Sequence, residues 1–356
     1  MDLEDMNILR PQITRIGNRY YRKLVFEEGD STGNTVSNNV VSDEEEYQDN
    51  ENDCESIEKS SNGFKSIVDV PVELVKFICG KKMETKTRIE KETNTQIKIP
   101  RIGAEDPLVI TGAKKNNVSS CRRKIEIIIE TSRQKIPPTH FISFPLYNKD
   151  IIGRLVEFKS IALKMCKQSK GLESSIFQKP EKLHLTVVML TLLTKNEVEN
   201  AISALENCFK EVIKPLLADK PIRITLEGVE YMNDDPNKVD VLYAKVNEMD
   251  EGERLQRLAN EIMKYFVTKN LAKDEFDSVK LHATVINTKL REMKSLAKSG
   301  TRGQSVNRVS FDATQITENF KDFYFGEHHI DNIHLCQRGV FEENGQYHCC
   351  KSLALT

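Results

Sequence analysis

One six-residue string occurs twice, and no other feature constrains the fold as much. Lys182-Leu183-His184-Leu185-Thr186-Val187 returns 98 residues later as Lys280-Leu281-His282-Ala283-Thr284-Val285. Five of the six positions are identical, and the sixth exchanges one apolar side chain for another. Each copy lies in a short apolar run, 183–190 and 279–286, that reads as a β-strand. Side chains alternate between the two faces of a strand. Lys182, His184 and Thr186 therefore share one face, and Lys280, His282 and Thr284 share another. Leu183, Leu185 and Val187 point the opposite way and can be buried. A duplicated His-x-Thr predicts two half-sites that face each other.

The segments around the repeat alternate between strand and helix patterns. After the breaker Ile136-Pro137-Pro138 come a strand at 139–146, a helix at 149–170 closed by Gly171, and the first repeat strand. A helix at 196–217, a hairpin of 222–232 with 239–246 around Asn233-Asp234-Asp235-Pro236-Asn237, and a helix at 251–268 precede the second repeat strand. Residues 290–310 are polar and read as a loop, and 330–353 supply two more strands. This order is α+β with two related lobes, not a doubly wound parallel sheet.

Charge divides the chain further. Residues 1–60 carry 6 basic and 15 acidic side chains, residues 61–135 carry 16 and 9, and residues 136–356 carry 30 of each. The expected organisation is an acidic, mostly disordered segment at 1–61, a basic domain at 62–135 and the repeat-bearing domain at 136–356. Within the first segment, residues 8–16 form an apolar-basic piece suited to docking as a short strand. Positive charge concentrated in one domain-sized segment is the footprint of a polyanion partner. The N-terminus has no apolar core of a signal peptide, and no apolar run approaches a membrane span, so no membrane partner is expected. The 8 cysteines have no short-spaced framework, which fits reduced thiols in the cytoplasm or nucleus.

Two histidines can divide acid–base work, one taking a proton from an attacking hydroxyl and the other giving one to a leaving oxygen. The threonines can donate to non-bridging phosphate oxygens, and Lys182 and Lys280 can offset developing charge. The scheme requires no metal or other cofactor. A single His-x-Thr would be an ordinary half-buried strand; its repetition, with the same Lys before and Val after, turns the reading toward one shared phosphate-handling site.

The doubled His-x-Thr resembles the two-histidine (2H) phosphoesterase superfamily, bilobal α+β proteins with one such strand per lobe. That resemblance implies metal-free cleavage of cyclic phosphates or trimming of RNA ends, with His184, Thr186, His282 and Thr284 as the catalytic set. The stretches 174–186, 231–236 and 239–246, with Leu9-Arg10-Pro11-Gln12, resemble a narrower family of nuclear complex subunits. This implies localisation to the nucleus, partner subunits in a helicase-containing coactivator complex, and work in transcription and alkylation-damage repair.

Residues 64–135 read β-α-α-β-β-α: strand 64–70, a helix opened by Pro71, a turn, a helix at 84–92, strands 95–99 and 108–111, and a helix at 114–135. This resembles a type I KH domain, a fold that grips single-stranded nucleic acid, which implies RNA or single-stranded nucleic acid as partner. The KH signature is Gly-x-x-Gly between the first two helices, where the glycines let backbone and phosphate approach. Here Gly80-Lys81-Lys82-Met83 keeps the first glycine and both lysines and departs at Met83. The loop is then expected either to continue as helix or to take another shape. Gly80, Lys81, Lys82, Lys86 and Arg88 form the expected binding edge.

Three further features are not read as sites of their own. His328, His329, His334, Cys336, His348, Cys349 and Cys350 crowd the C-terminus, but no Cys-x-x-Cys pair is present and vicinal Cys349-Cys350 cannot easily both ligate one tetrahedral ion, so no metal site is expected. Asp234, Asp235 and Asp240 fit a hairpin turn better than a cation site. Arg122-Arg123-Lys124 is read as binding surface on a helix. Against the leading reading, an RNA phosphodiesterase fed by a KH module, stand a silent RNA-end or nucleotide-binding module and a scaffold that recruits partner subunits.

Overall fold

The computed structural model describes residues 13–16, 19–22, 57–61, 63–100, 106–218, 220–249, 252–291 and 308–355. The acidic stretch up to residue 56, apart from one hairpin, and most of the 290–310 loop lie outside these residues. The chain forms two compact units that divide between Lys135 and Ile136. Among the described residues, no helix is long and apolar enough to cross a membrane.

In the first unit, β1 (Ile13–Ile16) and β2 (Arg19–Arg22) pair as an antiparallel hairpin, so the apolar-basic piece finds its partner next to it in sequence. β3 (Ile57–Ser60) and β4 (Gly63–Val68) form a second hairpin. β3 falls in the segment expected to be disordered: its only apolar residue is Ile57, and it is held by the open edge of β4. The helices α1 (Val72–Cys79) and α2 (Glu84–Thr93) follow, then β5 (Thr95–Lys98), β6 (Leu108–Gly112) and α3 (Lys115–Arg133). The four-stranded sheet has the order β3-β4-β6-β5, all antiparallel. The expected β-α-α-β-β-α core is therefore present, with β3 added at its edge. Leu74, Ile78, Ile89, Ile97, Leu108, Ile110, Val118, Cys121 and Ile125 fill its interior.

The second unit is built on β7 (His140–Pro145), α4 (Lys149–Met165), β8 (His184–Leu190), α5 (Lys195–Cys208), β9 (Arg223–Tyr231) and β10 (Val241–Glu248). The helix α6 (Lys214–Leu217) continues α5 through one π turn, and α7 (Arg254–Thr268) and β11 (Ala283–Asn287) follow β10. The chain ends with α8 (Thr314–Asn319), β12 (Tyr324–His329), β13 (Asn332–Phe341) and β14 (Tyr347–Ala354). α4 stops before Gly171, which turns later at φ 78°. α8 and β12 had no clear signal in the sequence.

The eight strands make one sheet in the order β12-β9-β10-β11-β8-β7-β13-β14, antiparallel throughout. It divides into two four-stranded halves that meet where β11 touches β8. Leu183, Leu185, Val187, Ala283 and Val285 are buried in one hydrophobic core with Leu155, Phe158, Leu205, Leu258 and Ile262 of the helices. At about 25 cal/mol per Å² of apolar surface, this burial dominates the stability of the unit. The alternation that buries those residues leaves His184, Thr186, His282 and Thr284 half-buried on the opposite face.

Candidate active site

Both histidines sit at the start of their strands. A 3₁₀ turn, Pro180–Lys182, delivers the chain to β8, which begins at His184; β11 begins at Ala283, one residue after His282. The strands touch through Ala283 opposite Leu185. One residue further each way, the antiparallel register sets His282 across from Thr186 and Thr284 across from His184. Beyond that contact the strands part. Phe177 pairs with Ile286, and the Gln178 amide donates to the Val285 carbonyl at 2.9 Å, so residues 177–178 take over the edge of β11.

Each imidazole is anchored in the same way. His184 Nδ1 lies 2.7 Å from the Lys182 carbonyl oxygen, and His282 Nδ1 lies 2.7 Å from the Lys280 carbonyl oxygen. A carbonyl oxygen only accepts, so Nδ1 carries the proton in both rings. In each neutral ring Nε2 is then the bare nitrogen, ready to take a proton. Thr186 Oγ1 is 3.1 Å from His184 Nε2, within range to donate its hydroxyl proton to the neutral ring.

Aromatic walls distinguish the two half-sites. His184 stacks on Phe141 with ring centroids 4.9 Å apart and meets the edge of Tyr347 at 5.6 Å. His282 meets Tyr243 at 5.4 Å, and the Tyr243 hydroxyl donates to Glu230 at 2.7 Å. Burial is the main cause of the His184 shift to about 4; the nearby His282 charge pushes the same way, and the Lys182 carbonyl opposes. Burial also lowers His282, helped by Lys280 and opposed by the Lys280 carbonyl. Each ring is thus set toward its neutral form.

Both lysine ammonium groups lie over aromatic rings. Lys182 belongs to the turn before β8, not to the strand, and its Nζ lies 3.1 Å from the centroid of Phe341. Lys280 Nζ lies 5.1 Å from the centroid of Tyr243. Burial, with Lys179 nearby, lowers the Lys182 ammonium to about 8, against a partial offset from Glu181. The part of each lysine that the histidine uses directly is its carbonyl. The rings of Phe141, Tyr243, Phe341 and Tyr347 were not found from sequence, because aromatic residues in strands mark core and site walls alike.

These pKa directions predict a pH effect on stability. A histidine at about 4 in the fold and 6.5 when unfolded binds its proton first in the unfolded state, so stability falls as pH drops from 6.5 toward 4. His140, His282 and His328 are lowered as well and act with the same sign. Acidification from pH 6.5 to 5 is expected to remove about 1.5 kcal/mol through His184 alone. Melting curves at the two pH values check this: His184→Gln should show a clearly smaller loss, and an equal loss would contradict it.

In the first unit, the loop after α1 keeps a glycine-type backbone without the second glycine. Gly80 has φ 68°, and a Cβ there would lie 2.2 Å from Thr85 Oγ1. Lys82 (φ 50°) and Met83 (φ 65°) adopt left-handed conformations, so the helix does not simply continue. A side chain in that region costs roughly 1–2 kcal/mol. Lys81 and Lys82 are exposed, whereas Lys86 is paired with Glu90 at 2.7 Å and Arg88 faces Glu92 at 3.9 Å. The expected basic edge is thus most open at Lys81 and Lys82. Met83→Gly is expected to stabilise the chain by roughly 0.5–1 kcal/mol, read as a higher denaturant midpoint.

Two structural readings of the sequence have different outcomes. Asp235 accepts from the Asn237 amide at 2.9 Å within the hairpin turn, and Asp240 pairs with Arg308 at 3.3 Å. The C-terminal histidines and cysteines, however, do converge: ligand atoms of His334, Cys336 and Cys349 all lie within 4.8 Å of one another. Of the vicinal pair only Cys349 joins this set, and a bulge separates it from Cys350. β14 pairs Lys351 with Leu335 and then Cys349 with Cys336, so Cys350 drops out of the ladder and packs against the core.

Family models and a curated relative place the chain among known proteins. The AKAP7 2'5' RNA ligase-like domain matches residues 138–355, and the KH domain matches residues 65–127. The chain is 38% identical over 351 residues to mouse (Mus musculus) activating signal cointegrator 1 complex subunit 1, covering 97% of this chain and 98% of that protein. It is 25% identical to human (Homo sapiens) A-kinase anchor protein 7 isoform gamma, over 86% of this chain and 79% of that protein. The crystal structure of E. coli LigT complexed with NADP+ aligns over 62% of this chain and 98% of that one, with 14% identity and a TM-score of 0.35. The chain therefore belongs to the family of activating signal cointegrator 1 complex subunit 1, with a KH domain followed by an AKAP7 2'5' RNA ligase-like, two-histidine phosphoesterase-like domain.

Proposed function

We propose that the chain is an RNA-directed phosphodiesterase that uses His184 as general base and His282 as general acid. The observation that carries this reading is the matched pair of imidazoles at the starts of β8 and β11, each with its Nδ1 proton on a backbone carbonyl and its Nε2 left unprotonated in the neutral ring. His184 takes the proton of the RNA 2′-hydroxyl, whose oxygen bonds to the adjacent phosphorus. His282 gives a proton to the 5′ oxygen as its bond to phosphorus breaks. The products are a 2′,3′-cyclic phosphate and a free 5′-hydroxyl. Enclosure by two rings suits His184 to the neutral role. His282, touched by one ring, is the better placed to become cationic when a phosphate arrives. Thr186 and Thr284 donate to the non-bridging oxygens, and Lys182 and Lys280 add positive charge at the rim.

The KH domain holds the strand through Lys81 and Lys82. By its likeness to the mouse subunit, the chain works as part of an activating signal cointegrator 1 complex; the family resemblance of its sequence extends this reading to the nucleus, a helicase-containing coactivator complex, transcription and alkylation repair. RNA oligonucleotides with 3′-hydroxyl, 3′-phosphate or 2′,3′-cyclic ends, incubated with the full chain, test the activity. Binding without any product would sink the enzyme reading. Lys81→Glu with Lys82→Glu is expected to weaken binding and to flatten its salt dependence, since each lost phosphate contact reduces the slope by about one. A salt-independent affinity would count against phosphate contacts.

A further inference from the structure

We propose that His334, Cys336 and Cys349 form a zinc-binding site, separate from the paired histidines. The two thiols come from directly opposed residues of β13 and β14, and His334 stands two residues before Cys336, on the same face of β13. Their ligand atoms lie within 4.8 Å of one another. In tetrahedral zinc sites, with Zn–S of about 2.3 Å and Zn–N of about 2.0–2.1 Å, ligand atoms stand roughly 3.5–3.8 Å apart. The separations here, at most 4.8 Å, exceed that spacing by about 1 Å.

The composition of the cluster fits a soft divalent ion. Two thiolates and a neutral imidazole cancel the charge of Zn²⁺, so the loaded site carries no net charge into the protein. Binding releases two thiol protons to solvent. Cys336 is buried, while His334 and Cys349 are half-buried, which leaves a route for the ion and a fourth position for water. The bulge is what makes the set possible. It removes Cys350 from the ladder, so one cysteine of the vicinal pair faces the site and the other packs against the core.

The site lies next to the His184 half of the cleft. Cys336 pairs with Phe141 on β7, and Tyr347 is two residues from Cys349. Both rings pack on His184. An ion here ties β13 to β14 behind those two walls.

Cobalt(II) titration of the full-length chain, kept under a non-chelating reductant, tests the proposal. One equivalent of Co²⁺ per chain is expected to give the intense visible absorption of a tetrahedral thiolate complex, and Zn²⁺ is expected to bleach it. Cys336→Ser and Cys349→Ser should abolish the band and His334→Ala should weaken it, while Cys350→Ser should leave it intact. Far-UV circular dichroism shows which variants fold. In the unmutated chain, zinc should protect Cys336 and Cys349, but not Cys350, from alkylation read by mass spectrometry, and it should raise the melting temperature. No band with the thiols reduced, a band that survives both Cys336→Ser and Cys349→Ser, or thiols that join as a disulfide and hold no ion under reductant would each overturn the site.

Discussion

His184→Ala is expected to lower turnover of an RNA substrate by on the order of 10²–10⁴-fold, and His282→Ala by a similar factor. Each variant removes one proton-transfer group and leaves the KH domain and the rest of the cleft in place, so RNA binding should change far less than rate. The double variant should be little worse than either single one, because the two rings act on one bond rearrangement. The roles separate in the pH profile. Loss of His184 should remove the acid limb of kcat/KM, which reports the free-enzyme base, and loss of His282 should remove the alkaline limb. A substrate with a 2′-deoxy sugar at the cleaved position should resist the intact protein. Equal rates for the unmutated chain and both variants would show that the imidazoles take no part in the chemistry.

Phe158→Ala is expected to cost about 3–5 kcal/mol of stability in the second unit, the largest single loss we predict outside chemistry. Phe158 is fully buried on α4, and its ring meets Phe177, Phe320, Phe323 and Phe325 at centroid distances of 4.9–6.1 Å. Those partners come from two separate parts of the chain, residue 177 and residues 320–325, so truncation leaves a cavity that no single element can fill. The effect should reach the site. Phe177 belongs to the segment that borders β11 where it parts from β8, and that segment is held there by Phe158 and by the Gln178 amide. Chemical denaturation of the full chain checks the stability. A loss under 1 kcal/mol would mean that the aromatic cluster is not the anchor it is taken to be.

Much of this protein was legible before any coordinates. The alternation in Leu183-His184-Leu185-Thr186-Val187 sets which side chains enter the core and which face outward, because a strand has a period of two whatever its neighbours. The repetition of that pattern, with Pro and Gly breaks and charge blocks around it, was enough for the α+β class and the β-α-α-β-β-α core, and it put both histidines and both threonines on the strand face away from the core. Such features are local, and local sterics enforce them.

What the tertiary structure decided is everything that depends on which strand lies beside which. Only the pairing of Ala283 with Leu185 sets two distant repeats side by side. Only the convergence of β7, β10 and β14 on the histidines supplies Phe141, Tyr243 and Tyr347, and so makes His184 and His282 unequal although their local sequences are nearly identical. The left-handed Met83 and the bulge at Cys350 have the same origin. In the first, the contacts of the loop hold a residue where its own preference would not place it; in the second, the register across a sheet edge overrides simple alternation. Sequence periodicity fixes direction along one strand, but burial, charge and ligand geometry are set by neighbours that lie far away in the chain.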